Sequence, residues 1–365
     1  MEVLMHRAGE NGVNKQHVTA PEGVHTLCDP DSGLEGLIVL HSTALGPAAG
    51  GCRLLHYQDA SLMQADAFRL AEGMSYKNAL AGLPMGGGKA VIRLPQGSFS
   101  RHELFRAFGR AVDALGGRYI TAEDVGTSVE DMQAVSEKTR FVAGLPSEAG
   151  GPGGDPSPWT AQGVFVSMET LVGRHLSKDL SDCVVAVQGL GHVGRSLARM
   201  LHDAGARLLV ADISEQNVRR VVAETGATVV PADQILSVEV DVLAPCALGA
   251  IFDETSIGTI RARIICGAAN NQLATPDDGA RLAERGILYA PDYVVNAGGI
   301  INVAGEYFGW TEKDTQRRIA DTGNRLIRVL DHASATGIAP NQAADELARA
   351  MIAAGPSPFP ADSAP

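Results

Sequence analysis

The feature that most constrains the fold of this chain is a glycine-rich turn between a strand and a helix. Gly189, Gly191 and Gly194 form a GxGxxG pattern that directly follows the apolar run at residues 184–187. Apolar positions at helical spacing come after the turn, and a second apolar run follows at residues 208–210. A strand, a tight turn, a helix and another strand in this order predict a βαβ unit, whose strands are parallel.

The rest of the second half of the chain continues this alternation. Short apolar runs recur at residues 240–243, 264–265 and 287–289. Strands that alternate with helices predict a parallel sheet covered by helices on both faces. The second half is therefore predicted to be a Rossmann-type, doubly wound α/β domain.

An aspartate indicates what this domain binds. Asp212 ends the second predicted strand, eighteen residues after Gly194. In a dinucleotide site the glycines let the backbone approach the pyrophosphate, and an acidic residue at this position accepts hydrogen bonds from the adenosine ribose. A carboxylate there repels a 2′-phosphate, and residues 213–215 contain no arginine to reverse that preference. The sequence thus predicts NAD, in preference to NADP, as the cofactor.

Further candidate contacts lie beyond the carboxyl ends of the strands, where doubly wound sheets bind ligands. Cys246 has no histidine near it in the sequence, so we interpret it as a small buried residue and not as a nucleophile. His192 is interpreted as a solvent-facing spacer, and Arg53 is compatible with a phosphate, a carboxylate or a surface ion pair. The candidate cofactor contacts are Arg53, Thr160, Gly189, Leu190, Gly191, His192, Val193, Gly194, Asp212, Ala244, Pro245, Cys246, Ala268 and Asn270.

The first half contains two lysines, Lys77 and Lys89, in one mainly apolar stretch. A helix is predicted over residues 62–74 with Lys77 near its end, and a strand over residues 90–94 with Lys89 at its entrance. No carboxylate is adjacent to Lys89 in the sequence, so burial and the second cation would favour a neutral amine that acts as a base. The alternative is a solvated lysine that begins a strand, with the glycines at residues 86–88 forming a turn.

Asp124 is the candidate partner for a reacting amine. It follows a predicted strand at residues 118–121, and an aspartate there can shuttle a proton. Capping of the helix that follows is an equally good interpretation. Glu123 competes for the same role, although alternation along a strand would point the two side chains in opposite directions.

Composition and chain organisation set the remaining limits. A net charge of −12 argues against nucleic acid and anionic membrane as partners. No apolar run reaches the eighteen or so residues of a membrane span, and no signal peptide is recognised. Five scattered cysteines without a CxxC pair indicate a reducing, cytoplasmic setting without a disulfide framework or a metal site. A Gly/Pro-rich run at residues 150–158 predicts a hinge, so we expect domains at residues 1–148 and 149–335 with a cleft between them.

Several blocks from about Gly36 to about Gly309 resemble the glutamate/leucine/phenylalanine/valine dehydrogenase superfamily, specifically its leucine, valine and phenylalanine dehydrogenase branch. The blocks are residues 46–51, 73–92, 121–127, 244–249, 267–273 and 289–299. The resemblance implies reversible, NAD-dependent oxidative deamination of an L-amino acid to a 2-oxo acid and ammonia. It implies that Lys77 anchors the substrate carboxylate, that Lys89 is the general base and that Asp124 assists proton transfer.

The resemblance also implies how the parts of the chain are used. The first domain is expected to carry substrate and homo-oligomer contacts. Residues 336–365 are expected to form a helix that packs back on that domain, followed by a disordered Pro-rich tail.

The pocket residues bear on which amino acid is used. Ala49 stands where leucine-specific relatives usually have leucine and phenylalanine-specific relatives have a small residue. Ile300 and Val303 resemble the branched-chain pattern, in which bulky aliphatic residues fill the pocket. One methylene decides only about 1–3 kcal/mol in such a pocket, so we expect a branched-chain aliphatic substrate such as leucine, with phenylalanine as the alternative. The candidate substrate contacts are Lys77, Ala49, Gly50, Asn271, Ile300 and Val303, with Ala122 and Val295 as additions to the pocket.

Two other classes of protein compete with this interpretation. A Schiff-base enzyme of the pyridoxal-phosphate type would use Lys89 as its anchor, but it does not explain the fingerprint with Asp212. A non-catalytic, NAD-binding regulatory protein would be favoured if Lys77, Lys89 or Asp124 were replaced, and none of them is.

Overall fold

The computed structural model describes residues 20–146, 153–247 and 249–356. They form two α/β domains, each built on a six-stranded sheet. The predicted boundary between residues 148 and 149, and the end of the predicted tail, lie outside the described residues. Within those ranges, none of the helices has the length and apolar character needed to cross a bilayer.

The first domain is a mixed sheet with three helices. Its sheet runs in the order β1-β2-β5-β3-β6, and β4 pairs with the far part of β5. The strand β2 runs antiparallel to both β1 and β5, whereas β3 and β4 run parallel to β5 and β6 runs parallel to β3. The elements are β1 (Gly23–Asp29), β2 (Leu34–Ser42), β3 (Ala48–Ala49), β4 (Cys52–Leu55), α1 (Ala60–Leu80), β5 (Gly86–Arg93), α2 (Arg101–Asp113), β6 (Tyr119–Ile120) and α3 (Val129–Ser136).

The three glycines before Lys89 lie inside β5, so the alternative of a turn at residues 86–88 is wrong. The helix α1 crosses this strand so closely that a Cβ on Gly87 would lie 2.0 Å from the backbone nitrogen of Ser75. Glycine therefore lets helix and strand pack backbone to backbone. Lys89 lies within β5, not at its entrance, and Lys77 lies in the last turn of α1.

The second domain is the doubly wound sheet that the sequence predicts. Six parallel strands run in the order β12-β11-β10-β7-β8-β9, so the chain leaves β7 on one side and returns to β10 on the other. The crevice between β7 and β10 is where such sheets bind ligands. The elements are α4 (Ser157–Leu171), β7 (Val184–Gln188), α5 (His192–Asp203), β8 (Arg207–Ala211), α6 (Glu215–Thr225), β9 (Thr228–Val229), β10 (Val242–Pro245), α7 (Glu254–Thr259), β11 (Ile264–Ile265), α8 (Asp278–Glu284) and β12 (Leu288–Tyr289).

The C-terminal helices connect the two domains. They are α9 (Asp292–Val295), α10 (Gly298–Phe308), α11 (Glu312–Ala320), α12 (Thr322–Thr336) and α13 (Pro340–Ala354). Buried alanines of α13 share one core with Tyr76 and Ala79 of α1. A second apolar cluster joins Met85 of the first domain to Ile301 of α10. These two cores fix the domains against each other beside the cleft.

Candidate active site

A cavity of about 360 Å³ lies between the two domains. The first domain contributes α1, β4, β5 and the loop after β6 to its walls, and the second contributes α4, α5, α9, α10 and the loop after β11. The candidate residues that line this cavity are Arg53, Lys77, Lys89, Asp124, Thr160, Val193, Ala268, Asn270, Asn271, Ile300 and Val303. The fold thus gathers residues from distant parts of the sequence at one place.

Lys89 forms an ion pair at the floor of the cavity. Lys89 is only 5% exposed, and its Nζ lies 2.7 Å from Oδ2 of Asp124. No carboxylate is adjacent to Lys89 in the sequence, but the loop after β6 brings Asp124 to the face of β5. Glu123 also lines the cavity, but it makes no ion pair with either lysine.

The pKa of Asp124 reflects this arrangement. Burial by itself would raise the pKa of the carboxyl, but the positive charges of Lys89 and Arg53 outweigh it, so the pKa is lowered. Asp124 does not cap the helix that follows, since the Ser128 side chain caps α3. The capping interpretation of Asp124 is wrong.

Lys77 faces the same cavity without a direct ion-pair partner among the described residues. The side chain is half-buried, and it makes no hydrogen bond or ion pair with any residue that the structure describes. Burial, reinforced by the nearby charge of Lys89, lowers the pKa of Lys77 to about 8, while Asp292 and Asp124 oppose the shift. A cation of this kind, facing a cavity, is suited to bind a carboxylate.

Asp292 is a charged residue of the cavity that sequence reasoning missed. It is buried and accepts hydrogen bonds from the backbone nitrogen of Gln272 at 2.9 Å and from the Tyr289 hydroxyl at 3.1 Å. Burial raises its pKa, and its charge acts on Lys77. Its position three residues after the end of β12 was the available signal, because side chains beyond the carboxyl ends of these strands face the cleft.

Arg53 forms ion pairs with two carboxylates of this chain, but it does so in the wall of the cavity and not on the open surface. Its Nε donates to Oδ2 of Asp124 at 3.1 Å, and its Nη1 donates to Oδ2 of Asp66 at 3.0 Å. Asp66 is on α1, so the guanidinium connects β4, α1 and the loop after β6.

The apolar side of the cavity is formed by α10 and by short side chains of the first domain. Ile300 and Val303, one turn apart on α10, face it together with Ala122. Ala49, Gly50 and Val295 do not line the cavity, and their contact with a substrate stays a prediction. Ala49 and Val295 are buried in the apolar cores, because β3 is an inner strand and α9 packs against α4.

The glycine-rich turn of the second domain has the geometry of a dinucleotide site. A Cβ on Gly194 would lie 1.9 Å from the Gly189 carbonyl oxygen, so glycine is needed for the helix to approach the strand. Gly189 itself has a φ of 89°, which favours glycine. A Cβ on Gly191 would meet nothing within 4 Å, so this part of the turn is open to a ligand.

Asp212 contacts the backbone of the glycine-rich turn. Its Oδ2 accepts from the backbone nitrogen of Leu190 at 2.5 Å, and its Oδ1 accepts from that of Ser214 at 2.7 Å. These bonds hold the carboxylate at the end of β8, beside the turn. At the start of α5 none of the described side chains caps the backbone N–H groups, and such groups can bind a phosphate.

The remaining candidates occupy the same edge of the second sheet. Ala244 and Pro245 are buried in β10, and burial raises the pKa of the Cys246 thiol to about 11, which agrees with its interpretation as a non-nucleophile. His192 is exposed, as expected of a spacer, with Nδ1 3.3 Å from Oδ2 of Asp155. Most of the candidate cofactor contacts lie outside the cavity itself. They are Gly189, Leu190, Gly191, His192, Gly194, Asp212, Ala244, Pro245 and Cys246.

The cavity and the turn are parts of one cleft. Val193 belongs to the helix that begins at the turn, and its side of that helix lines the cavity, as do Ala268 and Asn270. The amide of the buried Asn296 donates to the Ala268 carbonyl at 3.1 Å and to Oδ1 of Asn270 at 2.8 Å, which fixes this loop. A dinucleotide held at the turn would therefore reach the cavity that contains the two lysines.

Comparisons with known proteins agree with this geometry. Residues 21–141 match the family model described as Glu/Leu/Phe/Val dehydrogenase, dimerisation domain. Residues 208–354 match the model described as Glutamate/Leucine/Phenylalanine/Valine dehydrogenase.

Individual relatives cover most of the chain. It is 46% identical to leucine dehydrogenase from Thermoactinomyces intermedius over 325 residues, which is 89% of this chain and 88% of the relative. It is 44% identical to valine dehydrogenase from Streptomyces albus over 333 residues, which is 90% of this chain and 91% of the relative. The crystal structure of L-tryptophan dehydrogenase from Nostoc punctiforme superposes with a TM-score of 0.81 at 39% identity, covering 92% of this chain and 96% of that chain.

Proposed function

Because the chain belongs to the glutamate/leucine/phenylalanine/valine dehydrogenase family, a family of amino-acid dehydrogenases, we propose that it carries out NAD-dependent oxidative deamination of a branched-chain aliphatic L-amino acid. The products are the 2-oxo acid and ammonia, and the reaction is reversible. The observation that carries the proposal is the arrangement in one cavity of an unpaired lysine, Lys77, and a buried lysine–carboxylate pair, Lys89 and Asp124.

Lys77 is proposed to bind the substrate. Its ammonium has no partner among the described residues, so a substrate carboxylate would neutralise it without breaking an existing ion pair. A charge-assisted hydrogen bond fixes the position of the carboxylate, and with it the orientation of Cα.

Lys89 and Asp124 are proposed to move the protons. The glycine-rich turn and Asp212 would hold NAD, which would supply the acceptor for the hydride of the substrate Cα. Lys89 Nζ then takes a proton from the water that adds to the substrate imine, and Asp124 passes protons to the departing nitrogen. Since the resting pair is in hydrogen-bond contact at 2.7 Å, Lys89 can first give its own proton to Oδ2 of Asp124.

The cofactor preference is proposed from Asp212. Its carboxylate would accept hydrogen bonds from ribose hydroxyls and would repel the 2′-phosphate of NADP. We expect wild-type protein to bind NAD at least tenfold more tightly than NADP in a calorimetric titration, and Asp212→Ser to narrow that ratio. Equal affinities in wild type would remove the preference.

The substrate class is proposed from the apolar wall. Ile300 and Val303 of α10 form an apolar wall that reduces the space in the cavity, which favours a substrate with an aliphatic side chain. Because such a pocket discriminates by only about 1–3 kcal/mol per methylene, phenylalanine remains the second candidate.

One assay tests the function. Absorbance at 340 nm is followed with folded protein, NAD and each of leucine, valine, isoleucine, phenylalanine and tryptophan. We expect turnover, with the highest kcat/KM for a branched-chain aliphatic substrate; a preference for an aromatic one would correct the substrate alone. Tight binding of NAD without turnover of any amino acid would instead support the non-catalytic regulatory protein.

We also propose that the protein is a cytoplasmic homo-oligomer. The match of residues 21–141 to a model described as a dimerisation domain supports self-association, and the pattern of cysteines supports a reducing compartment. Light scattering coupled to gel filtration should give a mass that is a multiple of 38.1 kDa, and a monomer at micromolar concentration would contradict the proposal.

A further inference from the structure

The guanidinium of Arg53 bridges two carboxylates beside the lysine–carboxylate pair. Alternation along β4 buries the Cys52 side chain in the core and turns Arg53 towards the cavity. There Nε contacts Oδ2 of Asp124, the same oxygen that contacts Lys89, while Nη1 contacts Asp66. One carboxylate oxygen thus lies between two cations.

Asp66 is itself held firmly. Its Oδ2 also accepts from the Tyr57 hydroxyl at 2.8 Å, and its Oδ1 accepts from Nη2 of Arg69 at 2.9 Å. The attraction of these donors outweighs burial, so the pKa of Asp66 is lowered. The partner of Arg53 on α1 is therefore a fixed negative charge.

We propose that Arg53, anchored by Asp66, is a positioning residue that holds the Asp124 carboxylate beside Lys89. The inference rests on the proposed function, in which Asp124 moves protons. It replaces the expectation that Arg53 contacts the cofactor, since two of its nitrogens already donate to carboxylates of this chain. Arg53 acts through Asp124 and is not a catalytic residue.

The charges around Asp124 determine the direction of the effect. Removing the guanidinium would leave Lys89 as its one ion-pair partner among the described residues and would expose it to the uncompensated charge of Asp66. Both changes raise the pKa of Asp124. The titratable groups near it are Lys89, Arg53, Lys77, Cys52, Tyr119, Tyr57 and Asp66.

The test compares Arg53→Gln with Arg53→Lys and a control. Glutamine removes the charge at similar length, whereas lysine keeps a charge but cannot bridge the two carboxylates with a planar fork. Arg93→Gln is the matched control, because Arg93 lies on β5, forms a 3.2 Å ion pair with Glu35 and does not line the cavity.

Two measurements are made on the full-length protein. The first is the pH profile of kcat/KM for deamination. We expect its acid limb to move to higher pH by about one unit or more in Arg53→Gln. The shift should be smaller in Arg53→Lys and absent in Arg93→Gln. The second is the titration of the Asp124 carboxyl by carbon-13 NMR with labelled aspartate, the signal being assigned with Asp124→Asn. We expect the same upward shift there.

The outcomes separate the inference from the function. An unchanged carboxyl titration in Arg53→Gln would overturn the inference. A uniform loss of turnover at every pH, together with weakened NAD binding, would also overturn it and would show that Arg53 contacts the cofactor. If wild type turned over no amino acid, the proposed function would fail, and the NMR titration alone would decide the role of Arg53.

Discussion

The end of α1 and the middle of β5 each place a lysine in the same cavity, but only the lysine on β5 has a carboxylate beside it. Lys89 on β5 is 5% exposed and lies 2.7 Å from Asp124. Lys77 on α1 is less buried, yet it has no partner among the described residues, and its pKa falls to about 8. The two lysines therefore differ in pairing: Lys89 has a carboxylate beside it, and Lys77 has none within ion-pair distance among the described residues.

This difference corresponds to two different tasks. An unpaired ammonium is available to a substrate carboxylate, whereas a lysine in contact with a carboxylate has a partner that can accept and return its proton. Substitutions that remove one task and leave the other intact test whether the two lysines differ in this way.

The largest effect is expected from Asp124→Asn, which removes the proton partner of Lys89. Proton transfer by a positioned group contributes about 100- to 10,000-fold, so kcat/KM for deamination should fall by that factor, while the Kd for NAD should stay within about threefold. Asp331→Asn is the control, because Asp331 pairs with Arg174 on the surface. Full activity in Asp124→Asn would show that the pair on β5 has no part in proton transfer.

A smaller effect is expected from Lys77→Gln, which removes the unpaired cation. Hydrogen bonds to charged groups contribute about 1.5–3 kcal/mol, so KM for the amino acid should rise about 10- to 150-fold. Steady-state kinetics would check this against Lys178→Gln, since Lys178 pairs with Asp241 outside the cavity. A fall in kcat with unchanged KM would contradict the division of tasks.

The smallest effect is a pH dependence of substrate binding, which we expect to come from Lys77 at the end of α1. Lys77 is charged below its pKa of about 8 and neutral above it, so the affinity for the 2-oxo acid should be constant below pH 8 and fall towards tenfold per unit above it. Calorimetric titration from pH 7 to pH 9, over which the affinity should fall about tenfold, would measure this. The same slope in Lys77→Gln would assign the dependence to another group.

Much of the second domain follows from its sequence, because its signals are local. A GxGxxG turn between an apolar run and a helical pattern predicts both the βαβ unit and the site of Asp212. The short strand β9 at residues 228–229 was missed, since two exposed residues carry no hydrophobic pattern.

The first domain was harder to predict, because its site depends on contacts between distant segments. The glycines of β5 suggested a turn, and only the approach of α1 to within backbone contact explains them as strand residues. Asp124 lies far from Lys89 in sequence, so the ion pair between them could not be seen in either local pattern. The same holds for Arg53 and Asp66, and for Asp292, which comes to the cavity from the other domain.

The most direct test of the account is the turnover of Lys89→Ala at 340 nm, measured beside its Kd for NAD and with Lys178→Ala as the control. Because Lys89 Nζ is the proposed base, we predict a loss of turnover of about 100- to 10,000-fold with NAD affinity unchanged. Turnover equal to that of the control would contradict the account, and loss of NAD binding would show that Lys89 acts on the cofactor and not on the substrate.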